Sequence, residues 1–338
     1  MSTLAELVDP LCRVHDWIRQ SVVEACEAYE PAELAADARR GAGDVSFAID
    51  RISETAFVER IGAELGHDEP VVLVGEGLPG GRMTLPESAA ESDARWRVIV
   101  DPIDGTRSLM YQKRPGWILT GIAPNRGEAT TLADIELAVQ TEIPLVKQHL
   151  ADQLWAIRGQ GAQGVRFDRL TGRSHPLAVA PSSATTLRDG FATFCRFFPG
   201  GRDVLAAIDD ALCERLLGPR AADAADVFDD QYASSGGQLY GLTMGQDRFV
   251  ADLRPLVAPI LAARGQMLGH SCHPYDLCTK LIAEEAGVVV TDPTGRPLAA
   301  PLDTETNVAW VGYANRELQR LIEPVLAELL REHKLLAP

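Results

Sequence analysis

The sequence predicts a layered α+β fold on three observations. Helical and extended segments alternate along the chain, and several strands follow one another in its middle, which disfavours a strict βαβ repeat. Hydrophobic residues make up 46% and charged residues 24%, as in ordinary globular proteins. No linker or internal repeat divides the 338 residues. We therefore expect one unit over 1–338, with a first sheet in an approximate subdomain 1–185 and a second sheet in 186–338.

The first half of the chain contains two predicted helices and a series of strands. Apolar residues at helical spacing predict an amphipathic helix over 3–28 and a second helix over 50–65. Glycine and proline over 75–92 predict a loop. Short apolar runs predict buried strands. These strands are Val71–Val74, Arg97–Val100, Trp117–Ala123, Ile135–Val139 and Leu154–Ile157, with a hairpin turn at 168–172 further on.

The second half repeats this mixture. Helices are predicted over 201–217, 236–245 and 276–286, and a last helix follows the final strand. Pro324 predicts a kink or an early break in that last helix. The predicted strands are Arg248–Ala251, Val288–Thr291 and Asn307–Gly312, with a turn at Asp292–Gly295.

The net charge limits the partners of the chain. With 32 Lys and Arg against 48 Asp and Glu, the charge is −16, and no basic cluster stands out. This charge argues against nucleic acid and against an anionic membrane surface as partners. It would also repel a phosphate ester, so a phosphate-binding site here needs local positive charge, which a bound metal could supply.

Three features favour a cytoplasmic location. No run of about 18 apolar residues predicts a transmembrane helix. The first residues lack the basic and apolar regions of a signal peptide. The six cysteines are scattered without a C-x-x-C pair, in a chain too large to need disulfides. We expect a reduced, cytoplasmic protein.

The string Asp-Pro-Ile-Asp-Gly-Thr carries the first chemical signal. An apolar strand places Asp101 at its carboxyl end, where α/β-type sheets commonly bind ligands. After the turn at the proline, Asp104 can point to the same place and the Ile103 carbonyl can be left free. These are hard oxygen ligands of the kind that Mg²⁺ prefers. Gly105 permits close backbone approach to a phosphate, and Thr106 offers a hydroxyl and a helix start. The same string is typical of a surface turn.

Two acids elsewhere in the chain favour a metal site, and not a surface turn, for the string Asp101–Thr106. Glu76 follows an apolar strand, as Asp101 does, and Asp276 lies at the start of a predicted helix. An aspartate at a helix start is ordinarily a cap. Two carboxylates about 4 Å apart repel by roughly 4 kcal/mol at an effective dielectric of 20, so four converging acids require cations. Two Mg²⁺ ions would neutralise them, activate a water and stabilise a leaving oxygen.

These residues together resemble the inositol monophosphatase family, part of a wider group of lithium-sensitive, metal-dependent phosphatases. The resemblance runs from about Asp44 to Tyr313. It implies a layered α-β-α-β-α sandwich and Mg²⁺-dependent hydrolysis of a phosphate monoester of a small metabolite. It also implies inhibition by lithium and a homodimer. The matching segments are Gly75-Glu76-Gly77, Asp101–Thr106, and Tyr275-Asp276 with the following 283–292.

The resemblance implies two or three Mg²⁺ ions. Position by position, Glu76, Asp101 and the Ile103 carbonyl would bind one ion. Asp101, Asp104 and Asp276 would bind a second ion.

The resemblance also implies catalytic and substrate-binding roles. Glu76 and Thr106 would orient and activate the attacking water. Asp104, Gly105 and Thr106 would contact the phosphate. Asp50 matches a family acid near that water, where it could hold a third ion, and it fits a helix N-cap equally well.

Three departures from the family leave the substrate open. Inositol phosphatases have a substrate-binding Glu seven residues before the late aspartate, and Gly269 stands there. Tyr275 replaces the usual Trp, and Gly77 replaces the second Glu of a Gly-Glu-Glu motif. The candidates are an inositol phosphate, a 3′(2′),5′-bisphosphate nucleotide, fructose 1,6-bisphosphate, or another sugar or amino-alcohol phosphate.

The sequence also contains features typical of three other kinds of protein. The glycines from Gly75 to Gly80 match G-x-G-x-x-G after a strand, but no opening helix follows, as a dinucleotide site requires. His270, Cys272, His273 and Cys278 match no usual zinc spacing. A regulatory or scaffold protein that retains the phosphatase fold is the alternative of another class. A pure scaffold would have no need of four mutually repelling acids.

Overall fold

The structure is a computed structural model, and it describes most of the chain. The described residues are 3–28, 39–40, 45–46, 57–65, 69–219 and 225–336. They include a short antiparallel ribbon of β1 (Arg39–Arg40) and β2 (Val45–Ser46). Among the described residues, none of the helices combines the length and the apolar character that crossing a bilayer requires.

The first sheet has eight strands in the order β10-β9-β8-β7-β6-β5-β3-β4. Its neighbours are antiparallel except for β3 and β5, which run parallel. The central strands are buried throughout, as their apolar sequences predict. The strands are β3 (Val71–Gly75), β4 (Arg82–Leu85), β5 (Trp96–Asp104), β6 (Gly116–Pro124), β7 (Leu137–Ile143), β8 (Leu150–Ile157), β9 (Ala162–Asp168) and β10 (Arg173–Pro176).

The second sheet has five strands in the order β12-β11-β13-β15-β14. Here β11 pairs in parallel with β12 and β13, whereas β15 is antiparallel to both of its neighbours. The strands are β11 (Gly190–Phe194), β12 (Val227–Phe228), β13 (Asp247–Asp252), β14 (Val289–Thr291) and β15 (Trp310–Tyr313).

The helices complete five layers. Helix α1 packs on the outer face of the first sheet, α5 and α7 lie between the sheets, and α4 and α8 cover the second sheet. One hydrophobic core joins α1 to the first sheet, and another fills the space between the sheets and under α8. The predicted α-β-α-β-α sandwich is confirmed. The helices are α1 (Leu4–Ala28), α2 (57–64), α3 (Thr106–Met110), α4 (Arg202–Leu217), α5 (Ser235–Thr243), α6 (Ala258–Ala263), α7 (Lys280–Ala286) and α8 (Arg316–Glu332).

Three local predictions were wrong. The loop predicted over 75–92 contains β4, an edge strand whose half-exposed residues lack an apolar run and which forms by pairing with β3. The helix predicted over 276–286 is a 3₁₀ turn, Pro274–Leu277, followed by α7. Of the two effects predicted for Pro324, a kink or an early break, the early break does not occur, because α8 continues to Glu332. The hairpin turn predicted at 168–172 joins β9 and β10, which pair antiparallel. The bounds of those two strands and of β11 were not predicted, because none of the three contains a long apolar run.

Candidate metal centre

A register shift in β5 brings Asp101 and Asp104 to one place. Side chains three residues apart in a regular strand point to opposite faces. Asp101 pairs with Leu119 and Asp104 with Trp117, and the register shifts between the two aspartates. The predicted strand ended before Asp101, whereas β5 continues through the proline with this irregularity. Such irregularities redirect side chains, and here the two carboxylates converge.

Glu76 lies beside Asp101 because β3 and β5 are parallel neighbours. Gly75, the last residue of β3, is opposite Val100, so the residues that follow both strands are at the same sheet edge. The Glu76 charge is among the causes that raise the pKa of Asp101. The Glu76 charge therefore acts on Asp101, but Glu76 is not one of the three acids whose ligand atoms lie within 4.8 Å of one another.

Asp276 reaches the same edge from the 3₁₀ turn Pro274–Leu277. Its Oδ2 accepts a 2.6 Å hydrogen bond from the His273 amide, and its own amide donates to the His273 carbonyl at 3.2 Å. The Tyr275 ring stacks on the His273 ring, with centroids 5.4 Å apart. Asp276 thus caps the 3₁₀ turn. Its carboxylate also lies close to those of Asp101 and Asp104.

Asp101, Asp104 and Asp276 form a buried acidic triad. Their ligand atoms all lie within 4.8 Å of one another, and the three residues are 6%, 6% and 8% exposed. Burial, and then the charges of Asp104, Asp276 and Glu76, raise the pKa of Asp101 well above its ordinary value. Burial raises the pKa of Asp104 to about 6. Burial and the Asp104 charge raise the pKa of Asp276 strongly. Three carboxylates this close cannot all ionise at neutral pH without a compensating cation.

The first turn of α5 holds Asp104 in position. Its Oδ2 accepts hydrogen bonds from the Ser234 hydroxyl at 2.8 Å and from the Gly236 amide at 2.6 Å. Ser234 is also the N-cap of α5, because its hydroxyl accepts from the Gly237 amide. A Cβ on Gly236 would lie 2.9 Å from Asp104 Oδ2 and 2.6 Å from Leu119, so only glycine allows this approach.

The residues after Asp104 are arranged around the Ile103 carbonyl. Gly105 has φ of +83°, and a Cβ there would lie 3.1 Å from Ser234 Cβ. The Thr106 hydroxyl donates a 2.7 Å hydrogen bond to the Ile103 carbonyl. The expectation that this carbonyl is left free was therefore wrong, because the carbonyl accepts the hydrogen bond of the threonine hydroxyl. One lone pair of that oxygen remains for another partner.

The triad fits a hard divalent cation. Its donors are carboxylate oxygens, with a carbonyl and Glu76 at the same edge, which is the ligand chemistry of Mg²⁺. No lysine or arginine of the described segments forms an ion pair with the three aspartates. Among the described residues, the triad is also the single group of three acids, histidines or cysteines with metal-binding geometry. Within those residues, His270, Cys272, His273 and Cys278 do not form a group of this kind.

Of the predicted site residues, Asp50 lies outside the described residues. The structure places the others around the carboxyl ends of β3 and β5. Sequence reasoning missed Ser234, although a serine before a glycine-rich helix is a recognisable N-cap. The dinucleotide alternative is also excluded by context, because Pro79–Gly81 is a 3₁₀ turn followed by β4 and not by a helix.

Comparison with known proteins supports the fold. No protein-family profile matches the sequence, and no curated protein matches it. Fructose-1,6-bisphosphatase of Leishmania major, in its holo form, is 13% identical, with a TM-score of 0.65 over 97% of this chain and 94% of that one. The extragenic suppressor protein suhB of Bartonella henselae is 16% identical, with a TM-score of 0.63 over 95% of this chain and 98% of that one. This chain therefore adopts, over nearly its whole length, the fold that those two proteins share.

Proposed function

We propose that this protein is a metal-dependent phosphatase of the inositol monophosphatase superfamily, which hydrolyses a phosphate monoester of a small metabolite. The observation that carries the proposal is the buried triad of Asp101, Asp104 and Asp276, with ligand atoms within 4.8 Å. The full-length likeness to a fructose-1,6-bisphosphatase supports it. Three carboxylates buried together destabilise the folded protein. Binding of a cation would remove their repulsion and explain why they are present.

In this proposal, the acids of the site bind cations or accept protons. Asp101, Asp104 and Asp276 would hold Mg²⁺, together with Glu76 and the remaining lone pair of the Ile103 carbonyl. Bound Mg²⁺ supplies Lewis-acid charge that acidifies water and stabilises a leaving oxygen. The helix that begins at Ser235 keeps Asp104 in place through the Gly236 amide.

In the proposed reaction, water attacks phosphorus and the ester P–O bond breaks. Glu76, at the end of β3, would accept a proton from the attacking water, and the leaving alcohol oxygen takes up a proton. Thr106, whose hydroxyl contacts the Ile103 carbonyl, would orient the water. The Gly105 and Thr106 backbone would contact the phosphate oxygens. These roles rest on the family resemblance and on the shared location of the residues.

The direct test is phosphate release from a panel of monoesters, with Mg²⁺ and with EDTA. The panel contains an inositol phosphate, fructose 1,6-bisphosphate, a 3′(2′),5′-bisphosphate nucleotide and an amino-alcohol phosphate. Fructose 1,6-bisphosphate is included on the likeness to the Leishmania enzyme. We expect turnover of at least one ester with Mg²⁺, none with EDTA, and inhibition by lithium. Absence of turnover on every ester, with tight binding to a protein partner, would favour the scaffold alternative.

A further inference from the structure

A cavity of about 610 Å³ lies between the two sheets, apart from the acidic triad. Its walls come from β6 to β9 of the first sheet, from β11 and β13 of the second, and from α5. The residues that line it do not include the three aspartates of the triad. A cavity of this volume is in the range of small-molecule sites, roughly 300–1,000 Å³.

One wall of the cavity is aromatic and held in place. The Trp117 and Tyr240 rings have centroids 4.5 Å apart. Trp117 Nε1 donates to the Tyr232 hydroxyl at 2.8 Å, and that hydroxyl donates to the Pro115 carbonyl at 2.6 Å. Tyr240 donates to Asp152 at 2.6 Å. Rings fixed in this way form a rigid surface for a carbon skeleton and for cation–π contact.

The two arginines of the cavity are neutralised within its walls. Arg166 donates to both oxygens of Asp152, each bond 2.7 Å long. Arg114 pairs with Asp230 at 2.6 Å. Bidentate and charge-assisted pairs of this kind use the donors that an anionic ligand would need. The cavity is therefore poorly suited to a phosphate or another anion.

Two further carboxyl groups in the walls form no ion pair with any of the described residues. Glu142 is 7% exposed and accepts hydrogen bonds from Gln148 Nε2 and from the Asp152 amide, but it forms no ion pair within the described residues. Asp247, at the start of β13, has neither a side-chain hydrogen bond nor an ion pair within the described part of the chain. Burial raises the pKa of each to about 7, although the Arg166 charge lowers that of Glu142 and the Arg114 charge lowers that of Asp247. Each is therefore an acid whose charged form a positive ligand would stabilise.

We propose that this cavity binds a small aliphatic diamine, whose two ammonium groups pair with Glu142 and Asp247 and whose methylene chain packs on Trp117 and Tyr240. Two ammonium groups match the two carboxylates, one from each sheet, that form no ion pair within the described part of the chain. The proposal does not depend on the phosphatase activity, because none of these residues belongs to the acidic triad.

Isothermal titration with 1,4-diaminobutane tests the proposal, with Mg²⁺ present and 1,4-butanediol as the neutral isostere. We expect the diamine to bind and the diol not to bind. Asp247→Asn and Glu142→Gln should each weaken diamine binding at least about tenfold, since hydrogen bonds to charged groups are the strong ones. Asp210→Asn is the matched control, because it removes the same charge at an exposed position that does not line the cavity.

Several outcomes would overturn the proposal. They are absence of diamine binding to the unsubstituted protein, equal binding of the diol, and equal weakening by Asp210→Asn, which would indicate general attraction to a chain of charge −16. Asp247→Asn should fold, because it removes a partly buried carboxylate that has no hydrogen bond or ion pair in the described structure. A melting temperature at or above that of the parent protein would show that the loss of binding is local.

Discussion

The Gly236 amide donates a 2.6 Å hydrogen bond to Oδ2 of Asp104, so the first turn of α5 holds one of the three converging carboxylates. This contact joins the second half of the chain to the strand that carries the acidic string. The contact requires that Gly236 has no side chain. A substitution at Gly236 therefore tests what the contact does.

Gly236→Ala should reduce phosphate release by about 100-fold, because a Cβ 2.9 Å from Asp104 Oδ2 must displace the carboxylate, and small misplacements in an active site have effects of that size. The variant should also need more Mg²⁺ for half-maximal activity. Gly62→Ala is the control, since its Cβ would meet nothing closer than 3.8 Å. Unchanged kinetics in Gly236→Ala would show that Asp104 does not act at the reacting centre.

Ser234→Ala should lower the stability of α5 and weaken Mg²⁺ binding by the triad. Loss of the N-cap should lower the free energy of unfolding by about 1 kcal/mol, measured by urea denaturation. Loss of the hydroxyl hydrogen bond should raise the pKa of Asp104 further and shift the Mg²⁺ dependence of activity to higher concentration. Ser234→Thr, which keeps the hydroxyl, should restore most of both properties. A stability loss without a change in Mg²⁺ dependence would limit Ser234 to capping.

Asp101→Asn should reduce turnover by on the order of 10³-fold, because it removes a carboxylate proposed to bind both ions. The metal-free variant should be at least as stable as the parent protein, since its side chain no longer repels Asp104 and Asp276. Phosphate release and thermal unfolding in EDTA measure the two effects. Near-normal activity in this variant would contradict the metal assignment.

Mg²⁺ should raise the melting temperature, and more so at pH 7.5 than at pH 5.5. The carboxyl pKa values of the triad are raised in the folded state, that of Asp104 to about 6. The metal-free folded protein therefore binds more protons than the unfolded chain, and its stability falls as the pH rises through these pKa values. Mg²⁺ competes with those protons and removes the repulsion. At 100 times its Kd, Mg²⁺ should add about 2.7 kcal/mol.

The control for this Mg²⁺ effect is Asp210→Asn, which should keep the full increase in melting temperature. Asp104→Asn should lose most of it. An equal Mg²⁺ effect in both variants would assign the stabilisation to general screening of the acidic surface.

The buried His15 should make stability fall in acid. Its ring lies between the Thr120 and Thr141 hydroxyls, 2.8 and 3.0 Å away, and burial lowers its pKa to about 3. The unfolded chain takes up a proton near pH 6.5 and the folded protein does not, so stability is lost as the pH falls below 6.5. Between high pH and pH 5 the loss should be about 2 kcal/mol. In His15→Gln, the free energy of unfolding measured with urea should not show this part of the fall in acid. An identical pH dependence in the variant would contradict a buried neutral histidine.

Much of the fold and part of the site could be predicted from local sequence. Val71–Gly75 and the buried start of β5 are apolar runs because both faces of those strands are covered, and an acid directly after such a run is conspicuous. By contrast, β4 and β9 have mixed, half-exposed residues, so no local period indicated them. Ser234 was overlooked because its partner, Asp104, is 130 residues away in the chain.

The sequence by itself determined which acids were available and where each stood relative to its strand or turn, because backbone preference and burial are expressed in local residue patterns. Only the tertiary structure decided that Asp101, Asp104 and Asp276 come within 4.8 Å, and that Gly236 supports one of them. It also decided that Glu142 and Asp247 line a separate cavity, where neither forms an ion pair with a described residue. Those outcomes depend on a register shift in β5 and on the packing of two sheets around α5, which are contacts between distant residues. Periodicity within a short segment contains no information about such contacts.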